Sequence, residues 1–587
     1  MTRPGPGARV GGGADESTPD GASTPDGASV DGGGDTAGGG AAHGVSDVAR
    51  RNRSARSMAV FTVVSRATGF VRLMVVAAVL GTSYLGNTYE SANTVPNVLF
   101  ELFAAGVLQS VLIPILVEAV DRSKEDAERT AGVILGAMLA LLAAVVAAGL
   151  VAGSWIMARL VSGVDDPAIR AAEVQLGTFF LWFFLPQILF YAASMVAAAV
   201  LNATGRFWQP VFAPTVNNLV VIATYLAFAA MRGGAEPSLV LSTPQKLVLA
   251  GGTLAGVVAF CAVPVVSVLR GGFRLRPTFH LRDPILRRLA RQGAWAAGFL
   301  GCSQALLVAV LYFANGSEGG VVVYQLAYVL FMLPVSLFAV PVFTTAFPDL
   351  SRFARHERWT DFGAEVGRTT RSVGLFTIAS AGVIAALAVP AAHLLALGNA
   401  AGRVVEVSGA IAGFSVGIPG FAFVLLLTRV AYAYQDTRTP TLVNLGIAVV
   451  GSALMAALVA WVPSADRITA LGLGYGIAQL IGAGVLAVAV RRRIIDSGGH
   501  VADVGRPLLR DVVATAAAAI VATVVVRALP IHGVGTALIG CGLGGSAAAL
   551  VLLATLRALG GPAPKVALRT LGGDPGRVRG VGASEVS

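Results

Sequence analysis

Charge is scarce in this chain of 587 residues: Asp, Glu, Lys and Arg make up 13%, against roughly one-quarter in an ordinary soluble domain. Hydrophobic residues make up 55% and the mean hydropathy is +0.74, which excludes a water-soluble globule and points to an all-α polytopic membrane protein. Cysteine is nearly absent. Cys261, Cys302 and Cys541 each stand alone in apolar stretches, so neither a disulfide framework nor a zinc site is implied. Catalytic signatures are missing as well: there is no HExxH, no GxSxG and no Walker-type phosphate loop, and the six histidines are scattered, with His280, His356 and His500 in loops. No enzyme, cofactor or metal is expected.

Two segments fall outside this apolar pattern. Residues 1–55 are rich in Gly, Ala, Ser, Thr and Asp and repeat a hexad, Ser17-Thr18-Pro19-Asp20-Gly21-Ala22 and then Ser23-Thr24-Pro25-Asp26-Gly27-Ala28. Such a stretch buries too little apolar area to offset its ordering entropy, so a disordered cytoplasmic tail is expected. It lacks the pattern of a cleaved secretory signal, leaving the first hydrophobic helix as the insertion signal. A second cytoplasmic tail is expected over 561–587.

A helix crossing about 30 Å of hydrocarbon needs about 20 apolar residues. Fourteen such stretches can be placed, near 58–80, 94–119, 130–156, 173–200, 211–231, 246–269, 289–315, 320–348, 372–397, 404–433, 440–462, 468–490, 510–529 and 533–557. Arginine orients them. The linkers after even-numbered spans carry Arg122, Lys124 and Arg129, then Arg206, then a run from Arg270 to Arg291, then Arg352 to Arg371, Arg438, and Arg491 to Arg506. The stretches Gly81 to Ser91 and Asn315 to Gly319 carry no basic residue. By the positive-inside rule both termini are cytoplasmic, in the cell membrane. The net charge of +11 is thereby divided among short loops as topology requires, which argues against nucleic acid as a partner.

The chain also repeats itself. The turn Leu201 to Pro210, followed by Pro214 and Asn217, has a counterpart in Tyr432 to Pro440, followed by Asn444; Leu102-Phe103-Ala104 with Pro114 is echoed by Leu337-Phe338-Ala339 with Pro348. The offset of about 235 residues spans six helices. It suggests two parallel six-helix lobes, 56–270 and 271–495, plus two C-terminal helices over 505–560, although Pro-containing turns also recur simply as good turns.

Chemistry then falls to charge inside the spans. The first span holds Ser65-Arg66-Ala67-Thr68-Gly69-Phe70-Val71-Arg72, and a guanidinium deep in a bilayer costs at least about 3 kcal/mol. On a regular helix Arg66 and Arg72 point about 120° apart, so a bend at Gly69 would be needed to turn both to one cavity. Either they face an anionic ligand, for which guanidinium forks suit phosphate oxygens, or Glu101 or Glu90 neutralises one of them. Arg429, near the end of the tenth span, is open to the same ligand role or to snorkelling. Pro96-Asn97 and Pro334 invite kinks, fit for a wall that opens or for a static bundle.

In combination these residues resemble the MurJ (MviN) lipid II flippases, within the superfamily of multidrug, oligosaccharide-lipid and polysaccharide exporters. The likeness rests on Ser65-Arg66 with Gly69 to Arg72, Val95-Pro96-Asn97 with Leu102-Phe103 and Gly106, Pro114, Leu333-Pro334, Phe347 to Arg352, and Asp436 to Pro440, across about residues 55 to 560. It implies fourteen spans and transport of an undecaprenyl-pyrophosphate-linked peptidoglycan precursor to the outer leaflet by alternating access. Arg66 and Arg72 map onto the arginines that receive the pyrophosphate, with the lipid tail in a groove near the last two helices. The implied partners are that lipid-linked anionic substrate, membrane lipids and proteins of cell-wall synthesis. The chain departs from the family at Asn87 and Ala105, where acidic residues are usual, and at Phe100 and near Val329, where arginines are. Three readings follow: a flippase with fewer arginines, a related exporter of another polyprenyl-linked or amphipathic substrate, or a non-transporting envelope-assembly scaffold.

Overall fold

Helices account for every regular element in the computed structural model, which describes residues 39–280 and 282–560. The first half comprises α1 (Gly39–Leu80), α2 (Tyr84–Phe100), α3 (Gly106–Arg122), α4 (Lys124–Leu160), α5 (Pro167–Phe184), α6 (Gln187–Ala203), α7 (Trp208–Arg232) and α8 (Thr243–Arg270). There follow α9 (Pro284–Asn315), α10 (Gly320–Pro334), α11 (Val340–Arg355), α12 (Trp359–Ala386), α13 (Ala388–Leu395), α14 (Val404–Ser415), α15 (Ile418–Ala433), α16 (Arg438–Trp461) and α17 (Arg467–Asp496). The chain closes with α18 (Gly505–Arg527) and α19 (Val534–Ala558), which pack on each other. Of the tail expected up to residue 55, residues 1–38 lie outside the described residues and 39–55 are helical, as the Ala- and Arg-rich run after Gly40 favours. The tail expected over 561–587 also lies outside them.

Local signals punctuate the helices. Ser123 caps α4 by accepting from the Asp126 amide at 3.0 Å, and Asp166 and Asp283 cap α5 and α9 with a proline at the first position. Twelve helical spans among the described residues are long and apolar enough to cross a membrane; α14 and α15, bent by 40° where they meet, make a thirteenth. The other expected stretch, 94–119, lies in the helical run from Tyr84 to Arg122. That run starts ten residues earlier than hydropathy suggests, because the polar residues Asn87, Thr88, Glu90 and Ser91 belong to α2 and are buried.

The sequence repeat recurs as repeated structure. A π-helical turn, Glu101–Ala105, separates α2 from α3, and another, Val335–Ala339, separates α10 from α11. The second begins right after Pro334, whose missing amide cannot close the helical ladder. Asn218 of α7 donates to Ser65 O at 3.4 Å and Thr68 Oγ1 at 3.1 Å on α1, while Asn444 of α16 donates to Phe299 O at 2.6 Å and Ser303 Oγ at 2.8 Å on α9. Arg232 donates to Val79 O and Arg467 to Gly316 O, each satisfying a carbonyl at the end of a helix.

The link between the two repeats lies along α4 at residues 274–278. Thr278 donates its amide to Gly132 O at 2.9 Å, Arg274 donates its amide to Glu128 Oε1 at 2.9 Å, and a Cβ on Gly136 would come within 2.1 Å of Thr278 O. Glycine at 132 and 136 is what lets the backbone approach so closely.

Candidate functional site

The stripe Phe61, Ser65, Thr68 and Arg72 follows the 4-3-4 spacing of one helix face, and it faces α7. Phe61 stacks on Trp208 with centroids 5.6 Å apart and meets Phe212 edge-on; Thr68 bonds Asn218. One turn further along, Arg72 is half-buried, in electrostatic reach of Glu90 and Tyr89 on α2, Tyr191 on α6 and Tyr225 on α7. Among the described residues no carboxylate forms an ion pair with it within 4.0 Å.

Arg66 lies off this stripe and is exposed. The bend expected at Gly69 is absent: α1 runs unbroken through it, and the glycine instead admits Asn218, whose Nδ2 would sit 3.4 Å from a Cβ there. Glu101 opens the first π-helical turn, half-buried and with no ion-pair partner among the described residues, so it does not neutralise either arginine. Arg429 is exposed and lies over the Phe343 ring of α11, 6.0 Å from its centroid. The four expected binding residues are therefore not drawn into one cluster; Arg72 alone among them enters a buried polar nest. Of the expected kink positions, Pro96 is buried within α2, Asn97 donates to Asn93 O at 3.0 Å, and Pro334 borders the second π-helical turn.

Glu90 is the residue whose importance hydropathy conceals. It is 4% exposed, and its Oε2 accepts from Gln325 Nε2 of α10 at 2.8 Å, a residue 235 positions away and thus its counterpart in the repeat. Around it a polar seam joins the two repeats. Asn87 donates to Ser317 O at 2.8 Å and accepts from the Val321 amide at 3.0 Å, and Ser91 shares hydrogen bonds with Asn315. Backbone meets backbone where Gly319 (φ 69°) rests on Thr82: a Cβ at 319 would fall 2.3 Å from the Thr82 carbonyl carbon.

Two cavities border α2. One, about 340 Å³, is lined by Asn97, Phe100, Tyr191, Asn217 and neighbours on α2, α6, α7 and α8. The other, about 540 Å³, lies among α9, α10, α15, α16 and α17, with Leu73 of α1 and Thr94 of α2 on its wall.

The family model for the lipid II flippase MurJ matches residues 76–542. This chain belongs to the MurJ family. It is 26% identical over 447 residues to the lipid II flippase MurJ of Burkholderia cenocepacia, covering 75% of this chain and 84% of that one. It is 25% identical over 425 residues to the probable lipid II flippase MurJ of Vibrio cholerae, covering 70% and 77%. Among solved structures, MurJ in an inward closed conformation superposes with a TM-score of 0.67 at 17% identity, covering 86% of this chain and 99% of that one. An inward-facing multidrug transporter of the MATE family follows at 0.60 and 15% identity, covering 74% and 99%. The fold is thus that of a transporter family and the chain is a multi-pass membrane protein. Asn87 offers an acceptor to the start of α10 and a donor to Ser317 O.

Proposed function

We propose that this chain flips lipid II, the undecaprenyl-pyrophosphate-linked peptidoglycan precursor, from the cytoplasmic to the outer leaflet by alternating access. The two six-span halves, 56–270 and 271–495, rock against one another about the polar seam, which faces outward because both termini are cytoplasmic. Arg72 carries the reading. A guanidinium held in the bundle without an ion-pair partner among the described residues keeps its donors for an incoming anion, and the pyrophosphate supplies oxygens matched to that fork. Arg66, exposed on the same helix, adds a second positive charge along the approach.

Glu90 tempers Arg72 while the site is empty and ties it to Gln325 across the seam. Binding of the pyrophosphate therefore changes the charge balance at the residue that joins the halves. An apolar cavity of about 380 Å³, where α12, α15 and α17 meet the start of α18, is suited to the polyprenyl chain. The chain makes and breaks no covalent bond in this scheme, and proteins of cell-wall synthesis supply and consume its cargo.

Growth rescue tests this reading. In cells depleted of their own lipid II flippase, the wild-type chain restores growth and Arg72→Ala does not, at equal accumulation in the membrane. Loss of charge-assisted hydrogen bonds to the pyrophosphate weakens binding about 10- to 100-fold. Arg72→Lys keeps the charge without the fork and gives intermediate rescue. Full rescue by Arg72→Ala removes the arginine from the mechanism; no rescue by the wild type removes lipid II as cargo.

A further inference from the structure

Glu173 is a buried carboxyl that the transport scheme leaves unused. It lies about two turns into α5 and is 0% exposed, beyond the first turn where a helix N-terminus favours negative charge. Among the described residues no Lys, Arg or His forms an ion pair with it and its Oε2 has no hydrogen-bond partner. Its Oε1 meets Thr88 Oγ1 of α2 at 3.0 Å. Glu90, also buried, has an amide donor in Gln325 and a guanidinium in reach at Arg72; Glu173 has neither.

One hydrogen decides which form of the carboxyl fits. Thr88 Oγ1 also lies 2.8 Å from Tyr84 O, the carbonyl one turn back along α2. A hydroxyl carries a single hydrogen, and the shorter contact, within the helix, claims it. The contact with Glu173 is then satisfied by a hydrogen on the carboxyl: Glu173 donates to Thr88, and Thr88 donates to Tyr84 O. A carboxylate would instead turn two buried oxygens toward surroundings that hold no free donor and no cation, which burial strongly disfavours.

Position says when such a proton can leave. Thr88 follows Asn87 on α2, so the turn that bonds α5 also bonds the second repeat across the seam. Neither Thr88 nor Glu173 lines the two cavities that border α2, and the pair is thus separate from them. Of the titratable groups on the helices packed against α5, Tyr84 is in electrostatic reach of Glu173. Tyr89 of α2 turns its ring to Phe180 and Phe184, Arg159 of α4 lies over Trp155, and Lys246 of α8 forms no ion pair among the described residues.

We infer that Glu173 is a proton-binding site, loaded while the outer turns of α2 lie on α5 and emptied to outer water when the seam parts and α2 shifts. Release breaks the carboxyl O–H bond, passes the proton to a water molecule and leaves a carboxylate, which is buried again only after it regains a proton. High outer pH therefore favours the open wall and low outer pH the closed one. The side served rests on the orientation in the flippase reading; the bound proton does not.

Full-length protein in lipid nanodiscs, with no lipid-linked substrate added, tests the site. Infrared difference spectra between acid and alkaline buffer show the loss of a protonated-carboxyl C=O band in the wild type. Glu173→Gln, whose amide donates to Thr88 as the acid does, lacks that band, and Thr88→Val moves it to higher frequency. Amide hydrogen exchange over residues 84–91, corrected for the intrinsic rate, rises several-fold from acid to alkaline buffer in the wild type and stays level in Glu173→Gln. A band that persists unchanged in Glu173→Gln, or exchange that keeps its pH dependence there, overturns the site. In sealed vesicles a pH step on the face away from the termini reproduces the change in exchange; a response to the other face alone overturns outer release and the orientation assumed for flipping. Failed growth rescue with these spectra intact would remove lipid II as cargo and leave the proton site standing.

Discussion

Asn87 shows how one amide side chain serves two backbone groups of the second repeat at once. Its Oδ1 accepts from the Val321 amide in the first turn of α10, which an acid would do equally well and with help from the helix dipole. Its Nδ2 donates to Ser317 O, which a carboxylate cannot do. Asn87→Asp therefore loses one hydrogen bond and keeps the cap, so the protein stays within about 1 kcal/mol of the wild type. Asn87→Leu leaves the buried Val321 amide unsatisfied, while Ser317 O keeps the Gly320 amide, and costs roughly 1 to 3 kcal/mol. Thermal unfolding of the detergent-solubilised protein separates the two; equal midpoints for both variants would show that the seam contributes nothing at this residue.

At the scale of elements, the sequence disclosed the spans that hydropathy governs and missed what tertiary partners govern. Long apolar helices such as α7, α8, α16 and α17 fall close to their expected places because lipid and core both demand apolar surface. The start of α2 was hidden, since Asn87, Thr88, Glu90 and Ser91 look like a loop until Ser317, Glu173, Gln325 and Asn315 are seen to satisfy them. Pro334 marked its π-helical turn; Gly69 misled, because a glycine that permits close packing has the same letter as one that permits a bend. The link over α4 was equally illegible, its dependence on Gly132 and Gly136 being a matter of backbone approach. Gly136→Val places side-chain atoms where Thr278 O now lies and lifts this link away. Limited trypsin digestion then cleaves after Arg274, where Leu275 follows, several-fold faster than in the wild type, whereas an unchanged rate would mean that the link rests on α4 without depending on that contact.

At the scale of the whole molecule, contacts repeated about 235 residues apart mean that two similar bundles meet along related surfaces, and Glu90 with Gln325 is the place where the repeat touches its own counterpart. The first repeat brings the cation at Arg72 and the second most of the wall of the 540 Å³ cavity. Alternating access requires that the seam part once per cycle, because the side chains of Asn87, Glu90 and Ser91 hydrogen-bond to the second repeat across it. Locking it should halt transport without touching the cation. Ser91 and Asn315 approach within 2.9 Å, so Ser91→Cys with Asn315→Cys, in a chain whose Cys261, Cys302 and Cys541 are replaced by alanine, can be joined by a short reducible cross-linker. The cross-linked protein still binds undecaprenyl pyrophosphate, yet lipid II no longer reaches the outer leaflet until reductant is added. Either single-cysteine variant, treated alike, continues to transport. Flipping that persists in fully cross-linked protein would place the moving interface elsewhere, and the polar seam would then be a fixed joint between the two repeats.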